Sequence, residues 1–138
     1  MVSYQVAKNG FSFDLGEVID LYRESTLGER RPIEDREHWR SVLAHSNLVV
    51  TARDGDLLVG IARSLSDFGF ATYLSDLAVR RSHQRQGIGK ELIRVTQRES
   101  HPAKVILLAA PKAVDYYPHI GMKPHPSCWT LDPGEPLS

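Results

Sequence analysis

Residues 70–110 constrain the fold more than any other part of the chain, because their hydrophobic period changes twice. Residues 70–79 read as a strand. A basic connector then leads to Ile88, Leu92, Ile93 and Thr96, which share one face of a helix expected from about Gln86 to Arg98. His101-Pro102 closes that helix. Residues 105–110 (Val-Ile-Leu-Leu-Ala-Ala) form a continuous apolar run of the kind a fully buried strand carries. Strand, helix, strand is a βαβ unit, so this segment is expected to contain a parallel pair.

The flanking sequence supplies the rest of a sheet. Residues 48–52 and 57–62 are apolar runs joined by the hairpin signal Asp54-Gly55, and a polar turn at 64–69 leads into the next strand. Residues 3–8 suit an edge strand. Asp14 and Glu17 resemble a capping box, and Leu15, Val18, Ile19 and Tyr22 follow at helical spacing, with Gly28 as the stop. After a loop at 29–32, a second helix over 34–45 places Trp39, Val42 and Leu43 on one face. Pro111 opens a short helix through Tyr117 with Gly121 beyond its end, and residues 122–131 are expected to return as one or two strands. The order β-α-α-β-β-β-α-β-α-β is a mixed α/β sheet.

Length and charge narrow the function classes. The 138 residues suit one domain over 1–132, with a Pro/Gly-containing tail at 133–138. Seventeen basic and 17 acidic residues cancel, which argues against nucleic acid as a partner, since phosphate backbones call for a basic excess. Cys128 is the single cysteine, so neither an intrachain disulfide nor a cysteine zinc site is expected, and the six histidines lack metal-ligand spacing. No apolar run approaches the roughly 20 residues of a membrane span. The expectation is a cytoplasmic protein with no metal and no membrane partner.

The chemistry concentrates in Gln84-Arg85-Gln86-Gly87-Ile88-Gly89-Lys90. A P-loop is excluded by Gln84 and Glu91, and a dinucleotide fingerprint by Leu92 where a third glycine belongs. What remains is a helix start whose N–H groups converge on phosphate, helped by the helix dipole. Two glycines there also suit tight strand–helix packing. Their position at the start of the βαβ helix, behind a basic lead-in, favours the ligand reading.

With Asp76-Leu-Ala-Val79 upstream, Gln84-x-x-Gly87-x-Gly89 resembles the acetyl-CoA signature of the GNAT superfamily of N-acetyltransferases. Tyr117-Pro-His-Ile-Gly121-Met122 is similar to the superfamily's Tyr-x-x-x-Gly-[Phe/Met] segment, and the element order matches over nearly the whole chain. The resemblance implies a GNAT-like, mostly antiparallel sheet flanked by helices, with a central βαβ unit and splayed parallel strands. It implies acetyl-CoA as co-substrate, with the backbone of Leu77, Ala78 and Val79 along the pantetheine arm. The pyrophosphate would lie on N–H groups from Arg85, Gln86, Gly87, Ile88, Gly89 and Lys90, behind Gln84. Arg80, Arg81 and Lys90 are candidates for the adenosine end. Many members carry an Asn after the buried strand; this chain has Pro111-Lys112.

The same resemblance makes Tyr117 the acid that protonates the departing thiolate and the Val79 N–H the oxyanion donor. Asp76 is the candidate base, with a water chain as the alternative and Asp67 and Tyr73 as weaker ones. A buried acid tied to arginine is the competing reading of Asp76. The acceptor site is expected from the two early helices, residues 22–32 and the 64–70 turn. Residues 59–67 and 114–117 look like the serotonin-type arylalkylamine branch, which suggests a small primary amine. A protein or peptide amine, a non-catalytic acyl-CoA sensor and a homodimeric state are left open.

Overall fold

The computed structural model describes residues 1–10, 12–29 and 31–138, with the backbone alone at 28 and 29. They divide into two compact units, Met1–Leu108 and Ala109–Ser138. In the first, β1 (Val2–Lys8), β2 (Leu48–Asp54), β3 (Leu57–Ser66), β4 (Ala71–Val79) and β5 (Lys104–Ile106) form one sheet in sequence order. Every pairing is antiparallel except the last, between β4 and β5, which is parallel. The helices are α1 (Leu15–Arg23), α2 (Arg36–Ala44) and α3 (Ile88–Ser100). The expected mixed, mostly antiparallel sheet with flanking helices is the fold observed.

Two apolar layers hold it together, one on each face of the sheet. Leu15, Val18, Ile19 and Tyr22 of α1, with Trp39 and Leu43 of α2, pack on Val49, Leu58, Ile61 and Ala78. Ile88, Leu92 and Val95 of α3 pack on Val50, Ala52, Val59, Ala62 and Leu74. β2 and β3 are therefore apolar on both faces, which is why their sequences run rather than alternate. Each fully buried aliphatic side chain contributes about 1.5–3 kcal/mol. Gly60 lets α3 approach closely: a Cβ there would meet Leu92 Cδ1 at 3.0 Å and Ile88 Cγ2 at 3.2 Å.

Short-range chemistry sets the helix caps and the hairpin turn. Asp14 caps α1 through the Glu17 N–H (3.2 Å), although the Glu17 carboxylate turns to Arg53 instead of completing the box. The Asp54–Leu57 hairpin turns on Gly55-Asp56. Helix α1 stops at Arg23, not at Gly28, which lies in a 3-10 turn over Thr26–Glu29. In the expected 29–32 loop, Arg30 lies outside the described residues.

Two expectations fail. Residues 105–110 are not a fully buried strand: β5 ends at Ile106, and Ile106 and Leu108 are exposed. As an edge strand paired with only three residues of β4, it lacks the second neighbour that burial requires. Residues 122–131 form no strand; Pro124 and Pro126 remove alternate N–H donors from any ladder there. The second unit instead holds a 3-10 turn at Pro111–Ala113 and the four-residue α4 (Tyr116–His119). A Schellman-type closure ends α4, with Met122 N–H on the Tyr117 carbonyl (3.0 Å) and Gly121 N–H on that of Pro118 (3.0 Å).

Replacing Gly60 with Val forces methyl groups between β3 and α3. We expect a loss of about 1–3 kcal/mol in denaturant-induced unfolding, with the fold retained.

Candidate active site

Two β-bulges shape β4. In the β2–β3 ladder Ala52 faces Gly60 and Arg53 faces Leu58, so Val59 is the extra residue. In the β3–β4 ladder Arg63 faces Asp76 and Ser64 faces Leu74, so Ser75 is extra. Leu74 and Ala78 would share a face in a regular strand. Across the Ser75 bulge they point to opposite faces, Leu74 towards α3 and Ala78 towards α1 and α2. Pairing of β4 with β5 stops at Tyr73 and Ile106. Beyond that point Leu74–Val79 has β3 on one side and no described strand on the other, the splayed edge that the sequence reading required.

This open edge runs into the glycine loop. A 3-10 turn over Arg81–His83 leads to Arg85 and Gly87, both left-handed at φ 63° and 83°. Gly87 meets nothing within 4 Å of an ideal Cβ, so its backbone is open to a close partner. The first α3 bond across this junction runs from the Glu91 N–H to the Gly87 carbonyl (3.0 Å). The N–H groups of Ile88, Gly89 and Lys90 are thus the unsatisfied donors of a helix start, at its positive end. Gln84 Nε2 donates to the Val79 carbonyl (3.0 Å) and ties the loop back to the strand. His83 Nε2 lies 2.9 Å from Asp54 Oδ2, joining the loop to the β2–β3 hairpin, and this bond holds the Asp54 carboxyl below its usual range. These N–H donors and the open edge fit an extended ligand that ends in a pyrophosphate.

Other side chains have different duties from those expected. Arg80 does not reach outwards: its Nε and Nη2 donate to the Leu58 carbonyl (3.2 and 3.0 Å) and Nη2 to Asp20 Oδ2 (3.1 Å). It straps the end of β4 to the β3 bulge and α1. Asp67 forms the β3–β4 turn, accepting the N–H groups of Gly69, Phe70 and Ala71 at 2.8–3.0 Å, which lowers its carboxyl below the usual range. Cys128 is exposed, and its neighbour His125 accepts the Ser127 N–H through Nδ1 (3.1 Å).

Asp76 needs the largest correction. Its side chain is wholly buried, with Arg63 Nε on Oδ2 (2.7 Å), Arg31 Nη2 and Nε on Oδ1 (2.8 and 3.1 Å), and the Tyr22 hydroxyl donating to Oδ2 (3.3 Å). A carboxylate enclosed by two guanidiniums and a phenol has its hydrogen-bonding capacity spent on structure. The sequence named Asp76 but not its partners: Arg31 and Arg63 carry no local signal. Burial and the Asp76 charge push the Tyr22 hydroxyl well above the ordinary tyrosine value. Tyr117 belongs to the second unit, where it is half-buried and meets Tyr116 edge-on, with ring centroids 5.3 Å apart.

Residues 24–127 match the family model described as the acetyltransferase (GNAT) domain. The chain belongs to the GNAT family. A GNAT-family acetyltransferase from Streptococcus pneumoniae TIGR4 is 28% identical over 89% of this chain and 88% of its own, with a TM-score of 0.72. An aminoglycoside acetyltransferase from an uncultured soil metagenomic sample, in complex with sisomicin, is 24% identical over 95% and 97%, with a TM-score of 0.65. An aminoglycoside N-acetyltransferase in complex with CoA has a TM-score of 0.69 at 12% identity, over 96% and 95%. The last two are likenesses of fold. This GNAT chain is an N-acetyltransferase, and its family uses acetyl-CoA.

Because the folded state keeps the Tyr22 proton, Tyr22 adds stability below the unfolded tyrosine value of about 10 that is lost as pH climbs above it. The melting temperature of Tyr22→Phe should therefore fall less steeply than wild type in that alkaline range.

Proposed function

We propose that the chain moves an acetyl group from acetyl-CoA directly to the primary amine of a small molecule. The observation that carries this reading is the open edge at Leu74–Val79, continuous with the N–H donors that begin α3. A thioester supplies an activated acyl carbon; the chain's own groups bind, orient and handle protons. The backbone of Leu77, Ala78 and Val79 would pair with the pantetheine arm as an added strand. The N–H groups from Arg85 to Lys90 would hold the pyrophosphate. Gln84 keeps the Val79 end of β4 fixed to that loop. The Val79 N–H would stabilise the oxyanion, and the Tyr117 hydroxyl would protonate the leaving thiolate.

The general base in this reading is a water chain, since Asp76 is committed to its arginines. The acceptor would be bounded by residues 22–32 and the 64–70 turn. Support for a small-molecule acceptor comes from the aminoglycoside acetyltransferases among the structural neighbours. We place the protein in the cytoplasm; among the described residues no helix is long and apolar enough to cross a membrane.

Acetyl-CoA should raise the melting temperature more than ATP or NAD does. Equal shifts for the three would refute the donor assignment. Gly89→Val places a branched side chain in the first turn of α3 and should weaken CoA binding by about tenfold or more by calorimetry, with folding retained. Tyr117→Phe should cut turnover by roughly 10²-fold while CoA affinity stays within a small factor. Turnover at the wild-type rate would assign the proton to another group. Free-thiol release across a panel of amines and peptides would identify the acceptor.

A further inference from the structure

The buried charges around Asp76 also hold the backbone of the donor strand. Ser75, the extra residue of the β4 bulge, receives a bond from each arginine: Arg63 Nη2 donates to its Oγ (2.8 Å) and Arg31 Nη2 to its carbonyl (3.2 Å). A bulge removes one residue from the ladder and bends the strand, so it needs outside partners to keep one geometry. Here both partners come from side chains already fixed on Asp76. We propose that Arg31, Asp76 and Arg63 form a clamp that fixes the Ser75 bulge and thereby sets the course of Leu77–Val79. The clamp is an assembly of positioning residues, and it rests on the donor-site reading above.

The three members come from different parts of the fold. Arg63 lies directly across from Asp76 in the β3–β4 register. It is also held by Ser46 Oγ, to which Nη1 donates at 3.1 Å, so it is anchored within the sheet and the α2–β2 connection. Tyr22, tilted against Trp39 with centroids 4.7 Å apart, adds a hydroxyl from α1. Arg31 arrives from the segment between the Thr26–Glu29 turn and α2, outside the sheet. Its side chain is 34% exposed, whereas those of Arg63 and Asp76 are 7% and 0%. Among the described residues, it alone reaches both Oδ1 of Asp76 and the bulge carbonyl. Without it, Asp76 keeps a buried cationic partner in Arg63, so the charge remains compensated and the fold has no reason to collapse. The bulge, by contrast, loses the donor to its carbonyl. Pairing with β5 ends two residues earlier, at Tyr73, and cannot replace that restraint.

The planar fork of Arg31 bridges a carboxylate and a carbonyl, which a lysine ammonium reproduces poorly. The test compares wild type, Arg31→Ala and Arg31→Lys, with circular dichroism and melting establishing that each is folded. In ligand-free protein, amide hydrogen exchange should quicken at residues 74–79 of Arg31→Ala, while β1 and β2 stay protected. CoA binding should weaken by about tenfold and kcat should fall. Millimolar guanidinium should restore much of the binding to Arg31→Ala, and Arg31→Lys should remain impaired. Unchanged exchange at 74–79, or CoA affinity and kcat within about twofold of wild type, overturns the clamp. A lowered melting temperature with no selective exchange and no rescue also overturns it, since that is a purely structural ion pair. Wild type that binds no CoA brings down the donor-site reading and the clamp together; wild-type binding with an unaffected variant removes the clamp alone.

Discussion

One buried carboxylate, Asp76, stands between two guanidiniums, and much of the first unit is arranged to make that tolerable. Taking an ion out of water costs several kcal/mol, and removing one partner of a buried pair commonly costs about 3–5 kcal/mol. The chain meets the cost by enclosing Asp76 with Arg63 from β3, Arg31 from the α1–α2 connection and the Tyr22 hydroxyl from α1. Three other segments thus converge on one point of β4. That convergence fixes where the strand bulges and how α1 lies against the sheet.

The geometry of β4 follows from two neighbours that act in opposite ways. β3 runs alongside it for its whole length, whereas β5 pairs with only its first three residues. The unpaired stretch carries backbone groups with no described strand on that side, and an exposed row of this kind is a template for an extended partner. An acyl-CoA arm satisfies the same demand as a strand without adding chain. The left-handed Arg85 and Gly87 then turn the backbone so that the first N–H groups of α3 follow directly. On the proposed reading, extended arm and pyrophosphate would be served by one continuous path of main chain.

Polar groups near the site divide by whether the fold can spare them. Arg80 and Asp67 both read as site candidates, yet both are consumed by backbone: Arg80 by the Leu58 carbonyl at the β3 bulge, Asp67 by three N–H groups of its own turn. Asp76 is consumed by ion pairs. A charged side chain beside a site is not available for chemistry once its hydrogen-bonding capacity is spent on structure. Such residues act on the reaction only through what they hold in place.

The sequence by itself determined the features written in short-range chemistry. The two amphipathic early helices, the Asp14 cap, the hairpin signalled by Asp54-Gly55 and the glycine-led start of α3 are set by neighbours within a few residues, so their patterns were legible. The splay of β4 was also expected, though only because a ligand would need it. Tertiary structure decided the rest. Arg31 lies 45 residues from Asp76 and Arg63 lies 13, separations at which no periodicity speaks. Whether an apolar run is buried depends on the count of neighbouring strands, which is why residues 105–110 read as interior and ended as an edge. The setting of Asp76 turned on the same distinction: its place in the strand was local information, and the arginines that enclose it were assembled only when the sheet and helices closed around it.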